Sequence, residues 1–273
     1  MGYAAAFGAL AGAMLVFPEA AAEAAWQALT LWARAVAPAL GPFMACMLML
    51  TSRVGGGVGL RAALGWLSGS PGGARLMREL RLDGPSALRA AALTGTMSPM
   101  FFIGTLSAWL GDRRAGWLLL LCHWAGALLV GLTVGGKDTR GKTAPAPMPL
   151  GTAMRESGLA LLTVALCMML GSVAARMGAC AWPRMSPEAA AALQCALEVT
   201  AGVKAVIGLA GPCTLPLVCG ACSFGGLSLL LQNAAFWQES GLSLGPLLLV
   251  RLAHGLTSGA LCLAVQTAMG ALG

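Results

Sequence analysis

Two short stretches carry residue types suited to holding a solute. Ser70-Pro71-Gly72-Gly73 and Ser223-Phe224-Gly225-Gly226 share the pattern Ser-x-Gly-Gly, 153 positions apart. A Gly-Gly pair ends a helix or lets backbone come close to another group. If a half-helix begins at each pair, its free N–H groups and the positive end of its dipole favour an anion. Arg75 and Glu79 follow the first pair, four residues apart and so on one helix face. At the same offset stand Ser228 and Gln232. The two breaks predict a paired, solute-facing polar site. The charges at 75 and 79 also suit a loop at the membrane surface.

Other polar groups interrupt apolar sequence. Ser98 lies in "TGTMSPMFFIGT" (94–105), whose Gly, Ser and Pro punctuation predicts a further broken or re-entrant helix. Glu198, Thr200 and Lys204 fall in one apolar region, and Arg251 lies three before His254 in the last span. A charge near the bilayer centre costs roughly 2.5–3.5 kcal/mol on insertion scales, so such residues face a bundle interior or a pathway. The alternative is a long side chain reaching out from a helix end. The candidate substrate-binding set is Ser70, Gly72, Gly73, Arg75, Glu79, Ser98, Glu198, Thr200, Ser223, Gly225, Gly226, Ser228 and Gln232. There is no Ser/His/Asp arrangement, supported carboxylate pair or Walker phosphate loop, so neither an enzyme nor a cofactor is expected. Of nine cysteines, Cys219 and Cys222 form a C-x-x-C. It has no second ligand pair with which to close a zinc site, so packing cysteines and no metal are expected.

These residues sit in a chain that water cannot cover. Hydrophobic residues make up 58% and charged residues 10%, with mean hydropathy +0.79, against about 25% charged in a soluble domain. Apolar residues run continuously instead of alternating, which disfavours a β-barrel. The fold class is therefore all-α: a polytopic helical membrane protein with two pseudo-repeated halves and broken or re-entrant helices. Candidate spans are 2–17, 36–52, 96–111, 115–134, 157–178, 187–210, 212–232 and 245–270. The stretch 2–17 reads as an uncleaved first span, because no Lys or Arg precedes Arg34. The net charge of +7 is spread over inter-helix loops, as basic residues flanking spans are. No basic stripe with interleaved aromatics predicts nucleic-acid binding. Residues 1–134 form a first membrane half, 135–150 a hydrophilic connecting loop and 151–273 a second half. His123 and His254, the two histidines, fall in the final span of each half. Such internal symmetry with interrupted spans is a secondary-transporter signature. The first half carries 22 extra residues between its Gly-Gly pair and its histidine, around 94–105.

The blocks "APALGPF" (37–43), "SGSPGGAR" (68–75), "SPMFFIGT" (98–105), "LEVTAGV" (197–203), "FGGLSLLLQ" (224–232) and "RLAHG" (251–255) occur in an order that resembles the YlbJ family of sporulation integral membrane proteins, with its nucleoside-recognition or Gate-type domain. The resemblance runs from about residue 36 to 270. Ser70 stands where the family usually has Tyr, Arg75 where it has Lys, and Gly95 where it has Asn. The resemblance implies a multi-pass protein of the mother-cell or outer forespore membrane, working in the lipid bilayer. It also implies transport of a small metabolite, as in related nucleoside carriers with broken helices. Dipicolinate, a planar dicarboxylate, is the candidate it suggests.

The expectation is a transporter-like protein moving a small anion without a chemical step. A membrane scaffold whose breaks only permit close helix packing and a nucleoside carrier are the alternatives. A homo-oligomer is compatible with either.

Overall fold

In hydrocarbon every backbone N–H and C=O must find a partner inside the protein, which an α-helix achieves by itself. The computed structural model describes residues 2–52, 58–70, 72–74, 82, 84–136, 148–237 and 241–272, and among these there are helices and no strands. Among the described residues, five helical stretches are long and apolar enough to cross a membrane: Pro18–Thr51, Arg113–Thr133, Leu150–Ala181, Thr214–Asn233 (interrupted at Gly225) and Leu244–Gly270.

Helix α1 is Gly2–Val16. Helix α2, Pro18–Thr51, opens with proline in its first turn and passes through one wide π turn at Trp32–Val36. The second span expected at 36–52 therefore starts eighteen positions earlier. Glu19, Glu23 and Arg34 lower its hydropathy, but the run "EAAAEAAWQAL" consists mostly of strong helix formers. Helix α3 is Val58–Ser68, α4 is Gly84–Thr94, α5 is Phe101–Leu110 and α6 is Arg113–Thr133. Helix α7, Leu150–Ala181, packs antiparallel along α2: Ala21 and Ala24 meet Val173 and Met177, while Val36, Leu40 and Met44 meet Val164 and Met168. The 34 and 32 residues of these two helices correspond to about 50 Å each, well beyond a hydrocarbon core of about 30 Å.

The remaining helices are α8 (Pro187–Leu197), α9 (Val199–Leu209), α10 (Thr214–Phe224), α11 (Gly226–Trp237) and α12 (Leu244–Leu272). The spans expected at 187–210 and 212–232 are thus each two helices, broken at Glu198 and Gly225. The span expected at 96–111 begins in irregular backbone at 95–98. Helices α3 and α4 were not among the expected spans, being short and marked by Arg61 and Arg89.

Four breaks result, at Gly69–Ser70, Gly95–Ser98, Glu198 and Gly225. Gly69 (φ +68°) and Gly225 (φ +84°) adopt the left-handed conformation that a side chain resists. Helix lengths recur around the breaks: α3 and α8 each have 11 residues, as do α4 and α10. Ser70 and Glu198, and likewise Ser98 and Gly226, are 128 positions apart. The 153-residue offset of the Ser-x-Gly-Gly motifs instead pairs the first break with the fourth.

A buried polar cavity where broken helices meet

Each break leaves helix-end carbonyls and amides that must be satisfied. The C-terminal ends of α4 and α10 share one cation. Arg251 of α12 donates from Nε to the Phe224 carbonyl at 3.0 Å, and its two Nη groups donate to the carbonyls of Gly95 and Ser223. A positive charge at two helix C-termini is what their dipoles favour. The guanidinium also takes up the room beside Gly95, where an added Cβ would lie 2.9 Å from Nη1.

The histidines complete this clamp. The Met97 amide donates to His123 Nε2 at 3.0 Å, so Nε2 is an acceptor and Nδ1 carries the proton, donated to Ser223 Oγ at 2.7 Å. His254 has the opposite tautomer. Its Nε2 donates to the His123 carbonyl at 2.8 Å, and its Nδ1 accepts from Arg251 Nη1 at 3.2 Å. Both rings are fully buried, with centroids 4.8 Å apart. One network thus ties the break at 95–98 to the break at 223–225.

The amide ends face elsewhere. Glu198 caps α9, accepting from the amides of Thr200 (2.8 Å) and Ala201 (2.7 Å) through its two oxygens. The Ser70 amide donates to the Thr96 carbonyl at 2.7 Å, and the Ser70 hydroxyl donates to Asn233 Oδ1 at 2.5 Å. Ser98 Oγ accepts from the Met100 amide at 3.3 Å. Between these groups lies a cavity of about 40 Å³ lined by Ser70, Ser98, Glu198, Thr200, Ser228 and Gln232, with Val36, Leu40, Val164 and Met168 on its apolar side. At roughly 10–15 Å³ of such space per water, it admits a few waters. Gln232, 3% exposed, leaves its Oε1 without a hydrogen-bond partner among the described residues.

Six of the thirteen candidate residues therefore meet at one cavity. Ser223 does not; its hydroxyl is bonded to His123. The four glycines meet protein. A Cβ on Gly226 would lie 2.8 Å from the Cys195 carbonyl, and one on Gly73 would lie 2.7 Å from the Thr94 carbonyl. Added atoms at Gly72 and Gly225 would strike Ser68 and Leu229. Gly73 and Gly226 thus lie against other helices, whereas the neighbours of Gly72 and Gly225 belong to their own stretches of chain. Arg75 and Glu79 lie outside the described residues. Asn233, which bonds the cavity residue Ser70, was not among the candidates; its signal was a Gln-Asn pair inside an apolar helix.

The chain resembles YlbJ. An alignment of 169 positions pairs it with the sporulation integral membrane protein YlbJ of Bacillus subtilis strain 168 at 30% identity, covering 50% of this chain and 41% of that protein. The chain thus matches less than half the length of this curated relative. No family model and no solved structure matches. An integral membrane relative and five long apolar helices agree on a multi-pass membrane protein.

Proposed function

We propose that this protein carries a small polar solute across a membrane of a sporulating cell, without a chemical step. The observation that carries the reading is the polar cavity at the meeting of broken helices, with a buried glutamine oxygen left unpaired in its wall. An orphaned buried acceptor costs about 1–3 kcal/mol, and a chain keeps such a group where something else uses it. Irregular backbone within a membrane is likewise tolerated where protein or a watery cavity satisfies it. Two related halves, each a run of short broken helices followed by a long histidine-bearing helix, fit the repeat architecture of secondary carriers.

The cavity is too small for a dicarboxylate, so transport requires the helix ends to part. The resemblance to YlbJ is the ground for placing the protein in sporulation, in the mother-cell or outer forespore membrane, with a dipicolinate-like solute. A second reading, a scaffold, draws on the glycines that meet protein. Uptake of labelled dipicolinate into proteoliposomes decides between them. Uptake exceeding that of empty vesicles and lost in Gln232→Leu supports a carrier, whereas uptake equal to empty vesicles favours the scaffold. Competition by nucleosides but not dicarboxylates would redirect the reading to a nucleoside carrier.

A further inference from the structure

A larger recess is lined by some of the same helices as the small cavity. It has a volume of about 960 Å³ and is lined by α2 from Ala24 to Ala35, α7 from Ser172 to Ala179, α9 from Ala201 to Ala205, parts of α8, and Trp109. The small cavity continues with adjacent positions of the same helices: Val36, Met168 and Thr200. The recess thus runs along the α2–α7 seam from Ala24 and Ala179 toward the buried polar cavity.

Three cations line it: Arg34, Arg176 and Lys204. All three are exposed, and none makes an ion pair among the described residues. No acidic residue lines the recess among those described. Arg34 sits midway along a 34-residue spanning helix, about 25 Å from either end. Lys204 Nζ stands 5.8 Å from the centroid of the Trp109 ring, which holds one cation at the inner end. Arg176, on α7, is level with Ala24 and so lies at the end away from the small cavity.

We propose that this recess is an oxyanion-binding vestibule in which Arg176, Arg34 and Lys204 hold carboxylate, sulfate or phosphate groups. Low-dielectric walls around charges of one sign concentrate counter-ions, and guanidinium groups match oxyanions through paired hydrogen bonds. The shared chemistry has two sources, a free solute or a lipid headgroup. The site does not depend on transport, because occupancy of the recess and passage through the small cavity involve different residues.

The test is isothermal titration of the purified full chain in uncharged detergent. Sulfate and malonate are titrated against chloride at matched ionic strength, into the parent, Arg34→Gln, Arg176→Gln, Lys204→Gln, the triple variant and Arg176→Lys. The expected result is saturable binding weakened about tenfold or more by each glutamine, abolished in the triple variant and mostly kept by Arg176→Lys. The anion-free melting temperature of each variant, expected to equal the parent's, shows that the fold is intact. In a second arm, nanodiscs containing phosphatidylglycerol are compared with pure phosphatidylcholine. A charge-dependent stabilisation by phosphatidylglycerol, with no binding of sulfate or malonate, assigns the oxyanion to a headgroup. Parent and triple variant behaving alike in both arms overturns the vestibule.

Discussion

The Ser70 hydroxyl donates to Asn233 Oδ1 at 2.5 Å across 163 positions of sequence, joining the first helix break to α11. Both residues are buried, so removing either strands the other. Ser70→Ala and Asn233→Ala should each destabilise the protein by about 1–3 kcal/mol. The double variant should cost less than their sum, because the stranded partner is gone. Thermal unfolding in detergent measures all three.

Arg251 replaces helix continuity at two places at once. Arg251→Leu leaves three carbonyls of α4 and α10 without their donor and should cost about 3 kcal/mol or more, combining several charge-assisted bonds. Arg251→Lys keeps the charge but cannot reach all three with one fork, so its loss should be intermediate. Folded yield from membranes and melting temperature report both; equal stability of parent and Arg251→Leu would refute the clamp.

His123→Phe preserves a ring of similar size while removing both nitrogens. The Met97 amide and Ser223 hydroxyl then lose their partner, at a cost of about 1–3 kcal/mol. Ser223→Ala, which strands only the histidine N–H, should cost less. A chemical-denaturation series on the two variants gives the order.

The glycines should differ sharply among themselves. Gly226→Ala places a Cβ 2.8 Å from the Cys195 carbonyl at φ +68° and should lower stability by about 1–3 kcal/mol. Gly104, inside helix α5, has nothing within 4 Å of the same atom. Gly104→Ala should stabilise by up to about 1 kcal/mol. Melting temperatures moving in opposite directions would bear out the packing role.

Gln232→Leu separates stability from function. Removing an unpaired buried acceptor should leave the melting temperature unchanged or raise it, since an apolar group of similar size has no partner to miss. Uptake by proteoliposomes should nevertheless disappear. A stable variant that still transports would show that the glutamine is not part of the solute path.

The sequence alone determined that this chain lives in a bilayer, because a composition of 58% hydrophobic and 10% charged residues leaves no alternative covering for its surface. It also marked breaks near the glycine pairs and Ser98-Pro99, local signals whose conformational effects need no distant partner, but not the break at Glu198, which lay inside an expected span at 187–210. Six residues of the cavity were legible on that basis. The partners were not. Ser70 with Asn233, Arg251 with Gly95, and His123 with Ser223 are separated by 163, 156 and 100 positions, and no periodicity encodes such pairings. Tertiary structure also decided what the glycines do, because only the approach of a second helix distinguishes room for a ligand from room for backbone. The same holds for Arg34, Arg176 and Lys204: 142 positions separate the first from the second, and they line one recess only because α2 and α7 pack antiparallel.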